Sequence, residues 1–277
     1  MRVTICGTRG STPAPGPDFV RYGGHTSCVA VAHDGHVPSV LLDAGTGLRK
    51  VWWLMRGRPF KGSILLGHLH WDHTHGLPFF RSGDDPDARV DLYLPAQGDD
   101  AEAVLARGMS PPHFPIRPSE LQGSWTFHGL EEGEHDIDGF RVLAREIPHK
   151  GGRTFGYRIS DARSSLAYIS DHHPIALGAG PDGDGEYHDI AMELARGVDL
   201  LIHDAQYTRG EFPARAHYGH STIDYAIGLG ERCEVGRVLL YHHDPPRSDD
   251  ELDDIIAAIG PRTVAVSAAR EDDVYDI

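Results

Sequence analysis

An α/β fold is predicted for this chain of 277 residues by three features of its sequence. Short apolar runs of strand length alternate with segments of helical periodicity from end to end. Hydrophobic residues make up 40% of the chain, enough to fill a large core at this length. No long Ser/Gly linker divides the two halves, so one domain over residues 1–277 is expected.

The elements follow in order. Runs at 3–6, 28–32, 40–42, 64–66 and 90–94 are the first half's strands, apolar and bounded by Gly, Pro, Asp or polar residues. Helical spacing occupies 47–55 and 99–106. In the second half, runs at 140–143, 155–159, 166–169, 200–202, 238–240 and 264–266 read as strands, with helices at 189–196, 222–231 and 248–259. Ser248 with Glu251 forms a capping box that opens the last of these. Residues 178–185, rich in Gly and Asp, read as a solvated loop. The proline-rich, aromatic stretch 108–116 is equally an ordinary connector or a substrate lid. Gly7-Thr8-Arg9-Gly10-Ser11-Thr12 lacks the Lys of a nucleotide-binding loop and reads as a tight turn.

Chemistry concentrates in His68-Leu69-His70-Trp71-Asp72-His73, three imidazoles and a carboxylate within six residues. The run Ser63 to Gly67 before it is a buried strand, so His68 and His70, two apart, project to one side and can grip one ion. Asp72 and His73 fall where the chain must turn and can face a second ion. A site at a strand's end is where α/β proteins usually place one. Oxygen and nitrogen donors without thiolate suit zinc first, with manganese and iron also accepted.

The motif resembles the signature of the metallo-β-lactamase fold, and other segments fall in that family's order. His149 after the run 142–147 resembles the third histidine, Asp171 the carboxylate bridging two metals, and His242 the last ligand. Each ends a β-like apolar run. His243 adjoins His242 and competes for the role, although strand alternation and the match of Leu240-Tyr241-His242 favour His242. Gly7-Thr8-Arg9-Gly10-Ser11, Gly23-Gly24-His25-Thr26, Leu42-Asp43-Ala44-Gly45, His203-Asp204-Ala205 and His220-Ser221-Thr222 resemble the branch containing ribonuclease Z and related phosphodiesterases.

That resemblance implies an αββα sandwich, two mixed sheets packed face to face with helices outside. It also implies a dinuclear metal-dependent hydrolase. One ion would take His68, His70 and His149, the other Asp72, His73 and His242, with Asp171 between them, and a hydroxide activated by both would attack phosphorus or a carbonyl carbon. Asp72 would be indispensable to turnover. Asp204 and His220 would relay a proton to the leaving oxygen, Asp204 standing where ribonuclease Z usually has Glu. Among the other histidines, His172 and His173 line the pocket or a turn, His203 is a packed strand-end residue, and His25 reaches toward the site. His113, His128, His135 and His188 are assigned to surface or loops.

Substrate class is constrained by charge. With 26 basic and 41 acidic side chains the formal net charge is −15, which disfavours long nucleic acid but not a small phosphorylated molecule at a dication pair. Between His149 and Asp171 there is room for one hairpin only, where ribonuclease Z carries a long tRNA-binding arm. The leading expectation is therefore a phosphodiesterase for a small or cyclic phosphodiester. The alternatives are a lactone, thioester or carboxylic-ester hydrolase on the same site, iron-based oxygen chemistry, and a non-catalytic metal-binding sensor. Cys6, Cys28 and Cys233 form no CxxC pair and are expected as reduced, buried residues. No stretch approaches the roughly 20 apolar residues of a membrane span, and no leader pattern opens the chain, so a cytoplasmic protein is expected. A homodimer is compatible with the sequence.

Overall fold

A computed structural model describes all residues from 1 to 277. The strands are β1 (Arg2–Gly7), β2 (Cys28–Ala32), β3 (Val40–Leu42), β4 (Lys61–Leu65), β5 (Arg89–Pro95), β6 (Ser124–Leu130), β7 (Gly133–Ile137), β8 (Phe140–Glu146), β9 (Phe155–Ser160), β10 (Ser165–Ile169), β11 (Leu200–Asp204), β12 (Arg237–Tyr241), β13 (Ala265–Ala268) and β14 (Val274–Asp276). The helices are α1 (Val51–Leu54), α2 (Trp71–Thr74), α3 (Ala101–Ala106), α4 (Asp189–Ala195), α5 (Phe212–Arg215), α6 (Ile223–Arg232) and α7 (Asp249–Ala258).

Two seven-stranded sheets result, ordered β14-β1-β2-β3-β4-β5-β6 and β13-β12-β11-β10-β9-β8-β7. Each is mixed in the same way. The pairings from β14 to β3 are antiparallel and those from β3 to β6 parallel. Likewise β7 to β10 is antiparallel and β10 to β13 parallel. Alternation along each strand sends one set of side chains between the sheets and the other toward the helices. Val3, Ile5, Val31, Leu42 and Leu65 meet Val142, Phe155, Ile159, Leu166, Ile202 and Leu239 in the central layer. Leu41, Ile64 and Leu92 turn outward onto Leu48, Val51 and Leu105, while Ala167, Leu201 and Leu240 turn outward onto Leu194, Ala226 and Leu229. The architecture is the αββα sandwich that the sequence resemblance implied.

Three tyrosines of the second sheet tie the layers together. The hydroxyls of Tyr157 and Tyr168 donate to Leu66 O and Asp43 Oδ2, both at 2.6 Å, and that of Tyr241 accepts from Cys28 N at 3.0 Å. A buried phenol needs such a partner, so these bonds fix how one sheet sits on the other. At one end the link is backbone: His243 N donates to Thr8 O at 2.9 Å and Gly10 N to His243 O at 3.0 Å, joining the loop after β1 to the chain after β12.

The capping box at Ser248 and Glu251 is present and opens α7. β6, β7 and β14 were not expected from the sequence, and the reason is common to all three. Each lies at a sheet edge and is half exposed, so no continuous apolar run marks it. Between His149 and Asp171 the chain makes only the β9–β10 hairpin. All three cysteines are free and buried. No helix is long and apolar enough to cross a membrane.

Candidate metal centre

Nearly every polar side chain of the centre is delivered just past the end of a strand. After β4, Gly67 N donates to Asp43 Oδ1 at 2.7 Å, and the extended chain then projects His68 and His70 together, their rings 4.2 Å apart. The turn expected at Asp72 and His73 is the single-turn helix α2, which swings both side chains back toward the same spot. His149 follows β8, Asp171 follows β10, and His242 follows β12. The structure gathers His68, His70 and His149 into one group and Asp72, His73, Asp171 and His242 into a second, the donor atoms within each lying within 4.8 Å of one another. Asp171 lies between them. Its Oδ1 is 3.7 Å from His149 Nε2 and 3.4 Å from His242 Nε2, while Oδ2 is 3.1 Å from His73 Nε2.

Both nitrogens of His68, His73 Nε2 and Asp171 Oδ2 are buried without a hydrogen-bond partner. Orphaned polar atoms of this kind cost about 1–3 kcal/mol each unless something else satisfies them. The donor set is imidazole nitrogen and carboxylate oxygen, which divalent zinc, manganese or iron accept. These residues therefore fit a pair of such ions.

Distant partners hold the rings. His73 Nδ1 lies 2.7 Å from Asp43 Oδ2, His149 Nδ1 2.8 Å from Gly219 O, and His242 Nδ1 3.3 Å from Gln206 Oε1. In each case the acceptor assigns the proton to Nδ1 and turns Nε2 to the centre. Burial pushes His68 well below the usual imidazole value and His149 down to about 4. At His242 and His73 burial acts the same way but loses to the surrounding carboxylates, Asp171 foremost, so His242 stands at about 9 and His73 well above its ordinary value. Asp72 is held far below the carboxylate range because His73 and the bond from His242 outweigh its burial.

His242 and His243 are separated by geometry. His242 sits at φ 58° with Nε2 3.1 Å from Asp72 Oδ2, whereas His243 Nε2 lies 2.9 Å from Ala269 O, outside the cluster, and burial drives its pKa down to about 3. Room for the His242 ring depends on Gly10, where a Cβ would stand 2.3 Å from Nδ1.

Asp204 ends β11 fully buried, and its Oδ2 lies 3.0 Å from His220 Nδ1. The shorter Asp thus still reaches the histidine. Its carboxylate also accepts from the backbone N–H groups of His172, Gln206 and Ser221, so it is firmly oriented. Behind it runs a chain of imidazoles that the sequence did not suggest. Ala191 N donates to His188 Nδ1, His188 Nε2 lies 2.7 Å from His172 Nε2, His172 Nδ1 3.0 Å from His203 Nε2, and His203 Nδ1 2.7 Å from Asp204 O. One neutral tautomer per ring satisfies every link in a single direction. His188, assigned to surface or loop, is the half-buried residue that caps the start of α4. His172 faces away from the pocket and into this chain. His25 bonds Thr46 and Glu271 and does not join the donor groups.

Ser11, His70, Asp72, Asp171 and His220 line a recess of about 360 Å³ at the centre. Leu69 and Trp71 line it too and also belong to a neighbouring cavity of about 980 Å³, whose far wall is the segment from Val104 to Phe114. The 108–116 loop is thus a wall of that cavity.

Residues 39–243 match the model of a beta-lactamase superfamily domain. Among named relatives, ribonuclease Z of Natronomonas pharaonis is 25% identical over an alignment of 306 positions covering 92% of each chain. That of Limosilactobacillus fermentum is 28% identical over 224 positions, covering 65% of this chain and 68% of its own. Among solved structures, a diphosphatase from the PhnP family superimposes with a TM-score of 0.72 at 21% identity, covering 100% of this chain and 97% of its own. The short form of human tRNase Z gives 0.69 at 21%, covering 100% and 99%.

Proposed function

Since the chain belongs to the beta-lactamase superfamily and is a metal-dependent hydrolase of the metallo-β-lactamase fold, we propose that it is a dinuclear phosphodiesterase acting on a small or cyclic phosphodiester. The observation that carries this reading is the meeting of two donor groups at Asp171, with the Asp204–His220 pair on the same face. His68, His70 and His149 would hold one ion, Asp72, His73 and His242 the other, and Asp171 both. When bound, such a pair supplies positive charge to the phosphoryl oxygens and acidifies water.

The chain's own residues do the rest. Asp72 Oδ2 accepts from Ser11 N at 2.7 Å and faces His242 and His73 Nε2 at 3.1 and 3.2 Å, which locks the carboxylate in the recess. His220, with Nδ1 donating to Asp204, turns Nε2 into the recess, where as imidazolium it would hand its proton to the departing oxygen. Asp204 steadies the positive ring as that proton is carried. Between His149 and Asp171 the chain has only the β9–β10 hairpin, and the net charge of −15 repels long polyanions. Both favour a small substrate.

The test is hydrolysis of a chromogenic phosphodiester by protein loaded in turn with zinc, manganese and iron, beside a matching carboxylic ester and an Asp72→Ala control. Metal-dependent diester cleavage that the control lacks supports the reading. Ester cleavage alone would replace it with an esterase or lactonase, and silence on both with a sensor or redox role.

A further inference from the structure

The recess at the metals is small, but the cavity beside it is nearly three times larger and differs in chemistry from the rest of the molecule. In a chain of net charge −15, every titratable side chain lining that cavity is basic. They are Arg49, Arg107 and Arg153 with His75 and His113, and no carboxylate joins them. Two of the arginines are already engaged. Arg107 pairs with Asp99, and Arg153 bonds Glu131, Glu146 and Ala96 O. Arg49, exposed at the end of the turn after Gly45, has no hydrogen bond or ion pair within the chain and is free for a ligand.

The remaining wall is aromatic and apolar. Trp71 is 70% exposed and Phe79 61% exposed, side chains that a folded chain normally buries. Phe79 meets Phe114 edge to face at 6.0 Å, and Trp71 stacks on His75 at 5.4 Å, so both rings are fixed by neighbours rather than left free. Met109 lines the same cavity and adds an adaptable apolar side chain. Trp71 lies between two side chains of the metal centre in sequence and lines both spaces, which places the cavity directly beside the reacting group.

Resting on the phosphodiesterase reading, we propose that the substrate is a phosphoester with a planar aromatic arm that carries a second anionic group. Its phosphoryl group fills the recess, its ring lies against Trp71, Phe79 and Phe114, and its distal anion meets Arg49. An aromatic anion suits this wall because ring faces and edges gain from the apolar surface while the unpaired guanidinium gives a charge-assisted bond. A volume of about 980 Å³ is ample for a ring and a charged substituent.

The experiment is calorimetric titration of the zinc-loaded full chain with methylphosphonate, phenylphosphonate and 4-carboxyphenylphosphonate, none of which can be hydrolysed as an ester. Kd is expected to fall about tenfold from methyl to phenyl and about fivefold again with the carboxylate. Phe79→Ala should erase most of the first step and Arg49→Ala the second; both residues are exposed, so the fold tolerates the change. Equal Kd values for the three ligands, or steps that survive both substitutions, would overturn the inference. Cleavage of a chromogenic diester is measured in parallel. If the ranking appears but no diester is cut, the cavity stands and the phosphodiesterase reading falls.

Discussion

Asp43 Oδ2 lies 2.7 Å from His73 Nδ1, although the two residues are 30 apart in sequence and Asp43 touches no other part of the donor cluster. The same oxygen accepts from Tyr168 at 2.6 Å and Ser170 at 3.3 Å, while Oδ1 accepts from Gly67 N at 2.7 Å. One buried carboxylate thereby sets the tautomer of His73, fixes the start of the His68–His73 segment and joins the two sheets. Asp43→Asn keeps the shape and removes the charge. Metal affinity should fall about 10–100-fold, as when such orienting carboxylates are lost elsewhere. Competition with a chromogenic chelator reads this, with circular dichroism to verify the fold; wild-type affinity would show that His73 needs no such support.

A second prediction concerns protons. His242 stands at about 9 and His73 well above the usual value, so at pH 7 the metal-free protein carries a proton on each. A protonated imidazole cannot ligate, and binding must expel both. Titration of the apo-protein with zinc in two buffers of different ionisation enthalpy should report release of about two protons, with affinity weakening as pH falls. No net release would mean that these rings are neutral before metal arrives.

Acid should act on stability through other histidines. Burial lowers His203 to about 4 and His243 to about 3, against an ordinary value of 6.5. Below about pH 6.5 the unfolded chain takes up protons that the native fold refuses, so stability is lost as pH drops toward 4. At full effect the shifts are worth on the order of 3 kcal/mol for His203 and on the order of 5 kcal/mol for His243. Urea midpoints of the apo-protein at pH 7, 6 and 5 should decline steadily, and a flat series would refute the burial of neutral rings.

What could be read from the chain alone follows a physical division. His68 to His73 is legible because its donors are clustered and the apolar run Ile64–Leu66 stands just before it. His149, Asp171 and His242 are single residues at the ends of apolar runs, distinguishable only by resemblance. Asp43, Gln206 and the Gly219 carbonyl escaped, because orienting partners 30, 36 and 70 residues away leave no local pattern. The edge strands β6, β7 and β14 escaped because exposure on one side breaks the apolar run. The basic, aromatic cavity escaped for a third reason, being assembled from segments between Thr46 and Arg153 that meet only in the fold.

Gly10 offers a test of the second donor group by space alone. Its φ is not in the left-handed region, so alanine fits the backbone there, but the new Cβ would stand 2.3 Å from His242 Nδ1 and 2.5 Å from Cε1. The β1–β12 link through Gly10 N and His243 O gives the loop little freedom to retreat, so the imidazole must shift instead. Gly10→Ala should therefore move His242 away from Asp72 and Asp171 while leaving His68, His70 and His149 in place. If the proposed dinuclear centre is right, metal analysis after dialysis is expected to show about two tightly held ions per chain in the parent and about one in the variant. Turnover should drop on the order of 10³-fold, since a lost dication is worth several kcal/mol in the transition state. Retention of two ions with full activity would mean that the loop yields and that His242 is held more firmly than its packing against Gly10 implies.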